Sequence, residues 1–106
     1  MNNEKYIRFK VKTLSDSKSI QEFLFSLGYM WCSENRKEYY YMNFETSDIL
    51  LCLESDFNPN IDHIFHGDVE ILNYDKRWMD KIIKSYDMSN YKDFIQYKNA
   101  KQLGLI

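Results

Sequence analysis

A chain of 106 residues that is 44% hydrophobic and 17% aromatic has the material for one core, which argues against intrinsic disorder and sets residues 1–106 as a single domain. The formal net charge of −2 hides a sorted distribution: nine Asp or Glu and no Lys or Arg lie between Glu38 and Asp75, residues 1–37 carry seven basic against four acidic residues, and residues 76–106 carry seven against three. No apolar run reaches the roughly 20 residues of a membrane span, and Met1-Asn2-Asn3-Glu4-Lys5 lacks the apolar core of a secretory signal, so a cytoplasmic protein is expected.

In chain order, Tyr6 to Lys12 alternates, with Ile7, Phe9 and Val11 on one side and Arg8, Lys10 and Lys12 on the other. That period predicts a half-buried strand whose second face is a basic ladder. Ser15-Asp16-Ser17 supplies N-cap oxygens ahead of Ile20, Phe23, Leu24 and Leu27, and Gly28 is a natural stop, which together predict a helix. Tyr29 to Cys32, a polar turn over residues 33–37, and Glu38 to Phe44 read as an antiparallel hairpin. The apolar run Ile49-Leu50-Leu51-Cys52-Leu53 reads as a central strand buried on both faces.

From Glu54 to Asp68 the periodicity stops, and Asn58-Pro59-Asn60 marks a long loop inside the acidic block. Val69 to Leu72 is compatible with a short strand. Trp78, Ile82, Ile83 and Tyr86 share a helical face, and Tyr91, Phe94, Ile95 and Lys98 share a second. The fold expected is α+β, a mainly antiparallel sheet of four to five strands with one helix after the first strand and two C-terminal helices, all packed on one face.

Chemistry-bearing motifs are sparse. Cys32 and Cys52 stand apart without a CxxC pair, which favours buried free thiols. His63 and His66 sit three residues apart between Asp62 and Asp68, a spacing that gathers metal ligands only on a helix, so they are weak metal candidates. Asp56, Asn58 and Asn60 open like a calcium loop, but Ile61 stands where Gly is required and Gly67 where a bidentate Glu is required. Without a nucleophile elbow, phosphate loop or metalloprotease helix, the composition points to a binder with no catalytic residues and no cofactor. Hydrolysis at Asp62, His63 and His66 is the enzymatic alternative.

A carboxylate-rich surface bearing tyrosines, drawn from Glu54, Asp56, Asp62, Asp68, Glu70, Tyr39 and Tyr41, suits a protein partner with a basic surface and disfavours nucleic acid. The alternative is sequestration of a small anionic ligand, such as a nucleotide signal, by Arg8, Lys10, Trp31 and Tyr40.

The run Ser19-Ile20-Gln21-Glu22-Phe23-Leu24-Phe25-Ser26-Leu27-Gly28-Tyr29-Met30-Trp31, a helix ending in Leu-Gly-aromatic-x-Trp before a hairpin, resembles small uncharacterised accessory proteins of tailed bacteriophages over roughly residues 5–53. The resemblance implies a viral protein acting in the host cytoplasm, a class that includes inhibitors of bacterial defence and regulators of host enzymes. It supplies no catalytic residues.

Overall fold

The computed structural model describes residues 5–32, 37–54 and 63–105, with the side chain of Glu54 excepted. Among these described residues, five strands and four helices follow one another as β1 (Lys5–Lys10), α1 (Leu14–Ser26), β2 (Met30–Trp31), β3 (Ser47–Glu54), β4 (His63–Asp68), α2 (Val69–Tyr74), α3 (Lys76–Lys81), β5 (Ile82–Asp87) and α4 (Tyr91–Gln102). The architecture is α+β, as expected.

The strand order across the sheet is β2-β4-β3-β1-β5. The run Ile49 to Leu53 does form the middle strand, and Ile49, Leu50 and Leu51 are fully buried. β3 pairs antiparallel with both β1 and β4, whereas β5 runs parallel to β1 and β2 parallel to β4. The sheet is therefore mixed, not mainly antiparallel.

Three local expectations are corrected. Residues 38–44 form no strand, and β2 pairs with β4 in place of a hairpin partner. Val69 to Leu72 is helical because the Asp68 carboxylate accepts from the amides of Glu70 and Ile71, closing the start of α2. The expected helix over Trp78 to Tyr86 breaks at Ile82. Residues 76–81 form α3 on the Asp75 cap, and the chain then extends as β5, where Tyr86 stacks on Phe9 with ring centroids 6.0 Å apart. Tertiary pairing with β1 here outweighs a local 3.6-residue pattern that includes two β-branched isoleucines, Ile82 and Ile83.

Alternation along the strands creates two apolar faces. Ile7 and Phe9 of β1, Ile49 and Leu51 of β3, and Ile64 of β4 join Ile20 and Leu24 of α1 and Tyr97 of α4. Tyr97 meets Phe9 edge-on at 4.8 Å, and Phe23 meets Phe94 at 6.0 Å, so α1 and α4 cover the same face together. On the reverse side, Tyr6, Leu50, Cys52 and Leu72 cluster with Phe65, Trp78 and Ile82. Helices α2 and α3 thus contribute to a second core on the other face, where the sequence pattern had placed all helices on one.

The first helix starts two residues earlier than its Ser15-Asp16-Ser17 signal: Thr13 is extended, and its Oγ1 accepts from the Asp16 amide at 3.1 Å. Its end is as expected, with Gly28 at φ 102 and the Tyr29 amide donating back to the Leu24 carbonyl at 3.1 Å. This exit angle delivers Tyr29 and Trp31, both buried, to the α1 face of the sheet.

Candidate functional site

Arg8 does not stand on a solvent-facing basic ladder. β1 is buried on both sides, and the Arg8 side chain lies inward on the α2 face. Its Nε donates to Asp48 Oδ2 at 2.8 Å and its Nη2 lies 2.7 Å from the same oxygen, while Nη1 donates to Asn73 Oδ1 at 2.8 Å. Asp48 Oδ1 accepts from the Val11 amide at 3.2 Å. Arg8 is 6% exposed and Asp48 3%, so two charges carried on neighbouring strands are removed from water together, each stabilising the other. The register pairs Arg8 with Leu50, which sets Asp48 two residues along β3 on the same face.

This ion pair floors an open cleft of about 430 Å³. Lys10 and Lys12, from β1 and the residues after it, and Phe44, Glu45, Val69 and Asn73, from the 44–46 turn and α2, line it as well. Both lysines are exposed; Lys12 Nζ lies 4.0 Å from Asp87 Oδ2, a long solvent-screened contact. The Asp87 carboxyl is held below the usual carboxylate range, first by its hydrogen bond from the Ser89 hydroxyl at 2.6 Å, with Lys12 and Lys10 adding smaller attraction.

Beside the cleft lies an acidic and aromatic rim. Ser47 pairs with Asp68, and the Val69 amide donates to the Thr46 carbonyl at 2.8 Å, which ties the turn at 44–46 to the start of α2. Glu45, Asp68 and Glu70 are exposed at this end of the sheet. Ile71 is 48% exposed and Tyr74 83% exposed on the short helix that follows.

The middle of the chain is thus less free than its sequence implies. Asp48 is neutralised by Arg8 from the basic N-terminal flank. Asp75 is bound by Arg77 at 3.0 Å, and hydrogen bonds from the Arg77 side chain and amide hold its carboxyl below the usual range. Asp68 is exposed yet engaged as a helix cap. Asp56 and Asp62 lie outside the described residues, as does the Glu54 side chain, so the acidic loop centre of the sequence reading is not among them. Glu38, Glu45 and Glu70 are the exposed carboxylates of this block outside such contacts among the described residues.

The remaining predicted residues separate. Trp31 and Tyr40 sit on the α1 face, opposite Arg8 and Lys10, so the alternative ligand set does not converge on one site. Tyr40 stacks on His66 with centroids 5.6 Å apart, and Trp31 approaches both edge-on. Tyr41 is exposed; Tyr39 is half-buried, and its buried hydroxyl has no hydrogen-bond partner among the described residues. His63 and His66 occupy β4, where a three-residue spacing sends them to opposite faces, so they cannot share one ion. No group of His, Cys, Asp and Glu suited to a metal ion occurs among the described residues. Cys52 is buried as expected, whereas Cys32 is exposed.

Sequence reasoning missed Gln21, Asp48 and Asn73. Asp48 directly precedes a buried apolar run, and Gln21 falls in helical phase with buried Ser17, Ile20 and Leu24, so a signal existed for both. Comparison with protein families, curated proteins and solved structures gives no match to this chain. No helix among the described residues is long and apolar enough to cross a membrane.

Proposed function

We propose that this chain is a non-enzymatic binding protein, of the phage accessory type its N-terminal half resembles, that engages and inhibits a basic host protein through the rim formed by the 44–46 turn and α2. The observation that supports this reading is the juxtaposition of Glu45, Asp68 and Glu70 with the exposed Ile71 and Tyr74. Carboxylates at the rim steer a cationic partner and fix its orientation, while a tyrosine ring contributes contact area at low rotamer cost. The rim replaces the loop at 54–62 as the centre of the proposed interface.

The test is capture from bacterial lysate by wild-type protein and by a Glu70→Lys, Tyr74→Ala double variant, followed by affinity measurement on the recovered partner across salt concentration. Both side chains are exposed, so the fold is retained. The expected result is a partner retained by wild type and lost by the variant, with affinity falling steeply as salt rises. Equal retention by both proteins, or affinity indifferent to salt, would sink the proposal.

A further inference from the structure

We propose that the cleft floored by Arg8 and Asp48 is a binding site for the oxyanion of a small molecule, phosphate or carboxylate, whose ring or apolar part lies against Phe44 and Val69. This site goes beyond the protein-binding rim and uses a different set of side chains.

The donor set carries the inference. Asn73 presents Oδ1 to the Arg8 guanidinium at 2.8 Å, and this contact fixes which way its amide faces. With the oxygen so engaged, the amide NH2 is left as a donor at the cleft, and no described residue accepts from it. A guanidinium has five N–H groups. The Asp48 and Asn73 contacts use one on each of Nε, Nη1 and Nη2, leaving one on each terminal nitrogen. Lys10 and Lys12 add two ammonium groups at the mouth.

The lining itself carries a positive surplus: Arg8 and Asp48 cancel at 2.7 Å, which leaves two cations, Lys10 and Lys12, against one anion, Glu45, while Asp87, 4.0 Å from Lys12, and the rim carboxylates Asp68 and Glu70 lie outside that lining. The guanidinium is rigid, because Arg8 is held by Asp48 and cannot swing away without leaving a buried carboxylate unpaired, and the exposed Asn73 amide is oriented by its contact with Arg8. Phe44 and Val69, both half-buried, form an apolar wall beside these donors. A pocket of about 430 Å³ falls within the size range of small-molecule sites.

The test titrates the intact chain with inorganic phosphate, AMP and benzoate, reading the Asn73 side-chain amide by NMR and the thermal midpoint in parallel. Saturable shifts of that amide are expected, with AMP or benzoate binding more tightly than inorganic phosphate. AMP alone would assign a phosphate site, benzoate alone a carboxylate site, and both a general oxyanion site. Asn73→Asp retains the acceptor for Arg8 but turns the outward donor into an anion, and should weaken binding by about tenfold or more. Lys10→Gln, at an exposed position, should weaken it by about threefold and reduce its salt dependence. The proposal is overturned if no probe moves the Asn73 amide, or if the Asn73→Asp and Lys10→Gln variants both bind like wild type. The rim variant Glu70→Lys, Tyr74→Ala touches none of the cleft donors, so loss of partner capture and loss of anion binding are separable.

Discussion

The side-chain amide of Gln21 pairs with both backbone groups of Tyr40: the Tyr40 amide donates to Gln21 Oε1 at 2.9 Å, and Gln21 Nε2 donates to the Tyr40 carbonyl at 3.0 Å. Gln21 thereby acts as a strand of one residue. It also donates to Ser17 Oγ at 3.0 Å and accepts from Trp31 Nε1 at 3.1 Å, so its two N–H bonds and both lone pairs of its oxygen are used with no exposure to water. A segment that reads as a hairpin strand is instead pinned to α1 by one buried amide, and this sets the Tyr40 ring on His66.

Replacing Gln21 by Leu should cost about 3 kcal/mol, because it strands the Trp31 indole N–H and the Tyr40 backbone groups. Gln21→Glu should cost at least as much. It places a carboxylate oxygen against the Tyr40 carbonyl and buries a charge with no cation in the network. Urea denaturation with tryptophan emission as the readout checks both. A loss below about 1 kcal/mol for both variants would mean that water reaches these groups.

The Arg8 and Asp48 pair makes a second prediction through non-additivity. Arg8→Ala or Asp48→Ala alone should cost about 3 to 5 kcal/mol, since each leaves an opposite charge buried without its partner. Arg8→Met with Asp48→Ala removes both charges and leaves the Val11 amide as the one donor that loses its Asp48 acceptor without a charge at stake. The double variant should therefore be markedly more stable than the sum of the single losses. A double-mutant cycle by chemical denaturation measures this coupling, and additive losses would contradict a mutually dependent pair.

Gly67 falls in the stretch over Glu54 to Asp68 that reads in the sequence as a long loop, yet it lies within β4. A Cβ at this position would stand 3.1 Å from Leu50 Cδ1 and 3.2 Å from both Leu72 methyl groups. The absent side chain lets α2 seat Leu72 on the sheet. Gly67→Ala should cost about 1 to 2 kcal/mol as the two leucines give way, and Gly67→Val more, from overpacking at a site with no room. Thermal melts of the two variants supply the check, and an Ala variant as stable as wild type would show that Leu72 repacks freely.

What the sequence discloses divides along physical lines. β1, α1, β3 and α4 were legible because each carries a period or an apolar run within its own few residues. β5 was not, since its pairing with β1 joins residues about 75 positions apart, Arg8 with Ser85 among them, and a parallel neighbour leaves no turn signal. The short helix α2 was announced only by Asp68 and the start of α3 only by Asp75, and capping carboxylates are indistinguishable by composition from surface charge. The same ambiguity distorted the site: a tally of nine carboxylates gave no means of separating the capping Asp68, the ion-paired Asp48 and the exposed Glu70. Lys10 was correctly exposed, whereas the burial of Arg8 depended on Asp48 and Asn73 arriving from other elements.

Acid should weaken the fold through Asp87 and Asp75. Both carboxyls are depressed in the folded chain, Asp87 chiefly by the Ser89 hydroxyl and Asp75 chiefly by the Arg77 side chain. A carboxyl whose folded pKa lies below its unfolded value near 3.9 contributes stability that is fully present above that unfolded value. The contribution fades as pH falls through the folded value, because the unfolded chain then takes up protons more readily than the native one. Denaturant midpoints should hold steady between about pH 5 and 7 as far as these two groups are concerned and decline below about pH 4. Asp87→Asn should lower stability at neutral pH and flatten the acid limb, and Asp75→Asn should do the same less strongly, its partner Arg77 being exposed to solvent. Parallel acid limbs for wild type and Asp87→Asn would show that the Ser89 hydrogen bond does not discriminate between the charged and neutral carboxyl.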